Sequence, residues 1–173
     1  KECGGGFEEK ENGIRFFYKG PLKATNVTTT YYPGFMTDWQ GPWAVLMTKA
    51  HGESTIHETV YENRFTYVND LKKLGGQIEL YNPKIKNQAK FYNFNIKDDN
   101  GNNFHVAKVH GPVELHNGIV DMTDLRAGAT LVLASLAAKG ESVLFGVEHL
   151  DRGYEQLDKR LKILGAVIKR VKE

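Results

Sequence analysis

Apolar and polar positions follow two rhythms along this chain, one helical and one alternating. Residues 122–141, MTDLRAGATLVLASLAAKGE, form a long Ala- and Leu-rich run. That run predicts a buried helix near 125–138, capped by Asp124 and closed by Gly140, and a second helix is expected near 153–164, closed by Gly165. Upstream, Thr37 or Asp38 is expected to cap a helix reaching about His51, with Pro42 tolerated near its first turn and Gly52 ending it. A short helix ends at Gly75. Segments rich in β-branched and aromatic residues lie between: STIHETVY at 54–61, QIELY, SVLFGV, AVIKRV, GIRFFYKG, KATNVTTTY and GIVDM read as strands. KFYNFNIK, DDNGNN and FHVAKV together predict a hairpin, because Asn-Gly is a strong turn signal.

These elements recur. A segment starting TDWQGPW at Thr37 and one starting TDLRAGA at Thr123 share an order: Thr-Asp, apolar helix, Gly-Glu-Ser, strand, Arg, amphipathic helix, Leu-Gly, strand. The spacing of roughly ninety residues is too long for a common solenoid, so each copy is expected to be a small α/β unit. The opening KECGGGFEE matches the tails KKLGGQIEL and KILGAVIKR, so the chain is expected to start inside the end of a first repeat. Cys3 then holds the place of Leu74 and Leu164 and reads as a small buried apolar residue, not a reactive thiol. An α/β or α+β layered domain follows: residues 1–12 end a truncated repeat, 13–81 form a second and 82–173 a third.

Composition narrows the function classes. A formal charge of +2 over 173 residues carries no nucleic-acid footprint. No apolar stretch is long enough to span a bilayer and no signal-peptide pattern opens the sequence, so no membrane partner is expected. One cysteine excludes an internal disulfide framework and fits a reducing compartment, the cytoplasm. The six histidines show no paired ligand spacing, one cysteine cannot anchor a zinc cluster, and neither a P-loop nor a dinucleotide fingerprint is present.

Candidate chemistry lies where strands hand over to helices. Arg126 stands in the first turn of the longest predicted helix, where exposed N–H groups already make a positive end. Arg64 follows STIHETVY, and Arg152 holds the equivalent place after SVLFGVEHL. Such junctions commonly bind anions, and the arginine fork suits a carboxylate or phosphate. Ion pairs to Glu62, Asp151 or Glu155 would equally satisfy Arg64 and Arg152, and Asp38 and Asp124 would equally serve as simple caps. Trp39, Trp43 and Tyr61 read as core rather than as stacking platforms.

PGFMTDWQ, ETVYENRF, TDLRAGA and HLDRGYE, in this order and spacing, resemble the C-terminal part of the UDP-N-acetylglucosamine enolpyruvyl transferases of bacterial peptidoglycan synthesis. The resemblance covers nearly the whole chain. It implies a domain of the inside-out α/β barrel type, built from βαβαββ units, and a reaction in which enolpyruvyl passes from phosphoenolpyruvate to a sugar hydroxyl with release of phosphate, with no metal and no organic cofactor. By position, Asp38 matches the base that takes the hydroxyl proton. Thr37, Val60 and Tyr61 match residues lining the sugar-nucleotide site. Asp124, Leu125 and Arg126 match the motif beside phosphoenolpyruvate, Arg152 matches a second arginine on that substrate, and Arg64 matches another active-site arginine.

The sister shikimate-pathway transferase shares the fold, and a non-catalytic binding domain of the same fold is the reading from a different class. Several positions depart from the family pattern. Met36 stands where proline is usual, Trp39 and Trp43 are bulkier, and the 90–108 hairpin is longer. The resemblance also places the lysine-asparagine pair and the mobile cysteine-bearing loop in an N-terminal domain outside this sequence, which would be its partner in the same polypeptide. This segment alone is therefore expected to be inactive, and an uncovered apolar face would favour its self-association.

Overall fold

The computed structural model describes residues 1–171. It divides into two units, each with its own core. The first comprises Lys1–Phe65 and Gly76–Glu114. It opens on a hairpin of β1 (Gly6–Lys10) and β2 (Gly13–Phe17). Its main sheet runs in the order β4-β3-β5-β7-β6, with β3 at Val27–Thr30, β4 at Phe35–Met36, β5 at Gly52–His57, β6 at Gln77–Tyr81 and β7 at Val106–Gly111. β3 lies parallel to β4 and β5, whereas β7 pairs antiparallel with β5 on one side and β6 on the other. Helix α1 (Gln40–Met47) supplies buried Ala44, Val45 and Met47, which join Ile56, Ile78 and Val109 in the core. At Gly111 a side chain would collide with the Ala50 and Met47 carbonyl oxygens, so this β7 position admits only glycine.

The second unit comprises Thr66–Gly75 and Leu115–Glu173. Helix α2 (Val68–Lys73) packs on β8 (Ile119–Asp121), which pairs parallel with β9 (Val143–Phe145), and on helix α4 (Leu125–Ala137). Leu71, Leu74, Leu115, Val120, Met122 and Leu131 are fully buried there. Both copies of the sequence pattern therefore deliver a strand, a helix and a parallel strand: β3, α1, β5 in one and β8, α4, β9 in the other.

Several expectations need correction. KFYNFNIK forms no strand; it holds the end of a one-turn helix, α3 (Gln88–Phe91), followed by turns. Because β7 has β5 and β6 on its two edges, no edge remains for a hairpin partner. AVIKRV also forms no strand, because β6 finds its ladder on β7 and the second copy has no counterpart to β7 among the described residues. Leu164 is exposed, although Cys3 and Leu74 are buried. The helix expected at 153–164 starts later, as α6 (Leu157–Ile163), and an unexpected short helix, α5 (Val147–Asp151), precedes it. The architecture is a mixed α/β arrangement of one five-stranded and two two-stranded sheets among the described residues.

Candidate active site

In the first unit the candidate residues gather around a side chain that pattern reading passed over. β5 turns alternate side chains inward, and Ser54 and Ile56 are buried. Glu58, next in that parity and one residue past the strand, is buried completely. A buried carboxylate needs donors, and four converge on it. Its Oε2 accepts from the Thr37 hydroxyl at 2.8 Å and the Gln40 amide at 2.9 Å. Its Oε1 accepts from the backbone N–H of Val60 at 2.8 Å and of Tyr61 at 3.2 Å.

Arg64 joins the same group. Its Nε donates to Thr37 Oγ1 at 3.3 Å, and its guanidinium carbon lies 4.0 Å from the centre of the Tyr61 ring. That stacking leaves one face of Tyr61 outward, and Tyr61 is 46% and Trp39 49% exposed, so neither fills core as expected. Trp43 is half-buried, with the ring of Phe35 edge-on at 5.5 Å.

Asp38 sits on a 3-10 turn, Thr37–Trp39, that leads into α1. The expectation of a cap at Thr37 or Asp38 fails. The N-cap residues are Met36 for the turn and Trp39 for α1, and neither makes a side-chain cap bond. The Thr37 hydroxyl is instead directed to Glu58, and Asp38 faces solvent.

In the second unit Asp124 is a cap. Its Oδ1 accepts from the N–H groups of Arg126 and Ala127, both at 2.9 Å, and its Oδ2 accepts from the Thr66 hydroxyl at 2.9 Å. Leu125 opens α4, and Gly153 lies so close that a side chain there would come within 2.8 Å of a Leu125 methyl. The close approach sets the Asp124–Arg126 turn beside the 152–153 turn. Arg126 is half-buried in the first turn of α4, while Arg152 is exposed at the C-terminal end of α5 rather than at a helix start. The ion pairs expected for Arg152 go elsewhere: Asp151 pairs with Arg170 at 2.7 Å, and Glu155 with Arg160 at 2.9 Å.

Sequence reading missed Glu58, Gln40 and Thr66. Parity along β5 was the available signal for Glu58. Among the described residues no group of three His, Cys, Asp or Glu side chains is arranged to hold a metal ion, and no helix is long and apolar enough to cross a membrane. Chemically, the first unit offers an exposed carboxylate on a pinned turn beside a fixed guanidinium. The second offers a half-buried arginine at a helix N-terminus.

The EPSP synthase (3-phosphoshikimate 1-carboxyvinyltransferase) family profile matches residues 1–161. The chain is 39% identical over 175 residues to the UDP-N-acetylglucosamine 1-carboxyvinyltransferase of Protochlamydia amoebophila, covering 100% of this chain and 36% of that protein. It is 42% identical over 170 residues to the same-named protein of Chlamydia muridarum, covering 97% of this chain and 37% of that one. Among solved structures, the enolpyruvyl transferase NikO from Streptomyces tendae superposes with a TM-score of 0.78 at 30% identity, over 97% of this chain and 34% of that one. The chain thus spans little more than a third of the curated relatives it matches.

Proposed function

Because this chain belongs to the EPSP synthase family, we propose that it is the C-terminal part of a UDP-N-acetylglucosamine 1-carboxyvinyltransferase. The observation that carries this reading is that relatives of that name match the chain almost end to end. On this reading the segment is two βαβαββ units and the end of a third, from one inside-out barrel domain of a cytoplasmic enzyme of peptidoglycan synthesis.

The residue types suit the reaction. Phosphoenolpyruvate carries a carboxylate and a phosphate, and Arg126, Arg152 and Arg64 are the cations assigned to it and to the developing charge. Asp38 accepts the proton of the sugar hydroxyl as that oxygen bonds to C2 of the enolpyruvyl group and C3 takes up a proton. The tetrahedral adduct then loses a C3 proton and phosphate, which leaves the enol ether. Thr37, Val60 and Tyr61 are assigned to the nucleotide-sugar side, and Asp124 and Leu125 to the phosphoenolpyruvate side. Asp124 acts there by holding the Arg126 turn, since one of its oxygens caps α4 and the other accepts from Thr66.

Phosphate release from phosphoenolpyruvate and UDP-N-acetylglucosamine by the full-length polypeptide tests the proposal. Asp38→Asn is expected to lower turnover by roughly 10²- to 10⁴-fold, the range for loss of a general base. Turnover with shikimate 3-phosphate instead would point to the sister enzyme, and none with either acceptor would point to a binding domain.

A further inference from the structure

The proposed chemistry leaves one fully buried carboxylate without a task. An apolar side chain at Glu58 would fill the same space without demanding four donors. What the carboxylate adds is a tie to both ends of the turn that carries Asp38. Thr37 and Gln40 flank Asp38 and Trp39, and both are bonded to the same oxygen, Glu58 Oε2. With its ends pinned inward, the turn presents the two residues between them to solvent.

The other oxygen holds the Val60 and Tyr61 amides and so fixes the loop whose aromatic ring lies over Arg64. Arg64 in turn bonds back to Thr37. The contacts close into a ring: Glu58, Thr37, Arg64, Tyr61 and Glu58 again. Its polarity is fixed as well. The single Thr37 hydroxyl proton goes to Glu58, which leaves the Thr37 oxygen as an acceptor toward Arg64.

We infer that Glu58 is a positioning residue for enolpyruvyl transfer: through Thr37 and Gln40 it aims Asp38, and through Thr37 and Tyr61 it orients Arg64. This rests on the reading of the chain as part of a carboxyvinyltransferase. Glu58 touches no substrate in this scheme.

The test is Glu58→Gln in the full-length enzyme, followed by steady-state phosphate release across pH. Glutamine preserves the volume but replaces one acceptor oxygen with a donor, so one pair of the four bonds is lost. Turnover is expected to fall ten- to a hundredfold, more than KM moves, with a displaced acidic limb in the pH profile of kcat. Thr37→Val is expected to reproduce the loss, Thr37→Ser to recover most of it, and Glu58→Gln with Thr37→Val to be no worse than either single change. A purely structural Glu58 would lower the melting temperature but leave kcat per folded molecule and the pH profile in place, and that result would overturn the inference. Multiplying losses in the double variant would overturn it too. If Glu58→Gln does not fold, the Val and Ser variants at Thr37 decide. An inactive parent enzyme would remove the catalytic reading and this inference with it; an active parent with an unimpaired Glu58→Gln variant would remove this inference alone.

Discussion

Asp124 does two jobs with one carboxylate: it caps α4 and it anchors Thr66. Asp124→Ala removes all three bonds and is expected to destabilise the second unit by about 1 kcal/mol, the usual cost of losing a cap. Asp124→Asn should recover most of that, since asparagine caps as well as aspartate; urea unfolding of the two variants checks it. A Thr-Asp pair ahead of an apolar run signals a helix start in both copies, and of the two aspartates only Asp124 is the cap. Glu58 was not legible, although it shares parity with Ser54 and Ile56, because glutamate is almost never fully buried and its partner Gln40 lies in another element. Tyr61 and Trp39 misled for the converse reason. An aromatic side chain carries a strong prior for the interior, and only the tertiary position of Arg64 shows why Tyr61 stays at the surface.

The segment between β6 and β7 departs most from its pattern, and it carries a pH signature. His57 on β5 packs against Phe91 and Tyr92, with ring centres 4.9 and 5.7 Å away, and its Nε2 lies 3.2 Å from the Tyr92 hydroxyl. Burial lowers its pKa, His105 lowers it further, and Glu58 partly opposes them. A folded-state pKa below the ordinary value of about 6.5 means that the unfolded chain holds the proton more tightly. His57 therefore contributes stability above about pH 6.5, and that contribution is lost as pH falls through its folded-state pKa. The melting temperature is expected to drop between pH 7.5 and 5.5, and part of that drop should vanish in His57→Gln. Asp99 does not confuse this window. Burial raises its pKa, but hydrogen bonds from Asn103 and His105 outweigh that, so its contribution is lost only on acidification below about pH 4. Local signals found α1, α2, α4, β5 and β6, although β5 stops at His57 rather than Tyr61 and α1 spans only Gln40–Met47. The hairpin and AVIKRV failed because strand formation depends on a free edge, which is a property of the sheet and not of the segment.

Motif order alone pointed to the family, while the surface shows which apolar side chains each unit leaves exposed. Every residue of β2 is exposed, and Phe16 and Tyr18 are 76% and 79% exposed on the first unit. On the second unit Ile163, Leu164, Val167 and Val171 are exposed as well. Monomeric proteins seldom present clustered apolar side chains of this kind, because water gives way to any matching surface. Two outcomes are expected for the isolated chain. It should release no phosphate from phosphoenolpyruvate and UDP-N-acetylglucosamine, since the residues assigned here supply only part of a site. It should also self-associate, eluting earlier from a sizing column as its concentration rises through the micromolar range. Replacing Phe16 on β2 and Tyr18 just beyond it with serine, both largely exposed, should weaken that association and leave the melting temperature within a few degrees. An elution volume independent of concentration and unchanged by the double substitution would show that the β1–β2 hairpin is tolerated in water as it stands, and that self-association does not follow from its exposure.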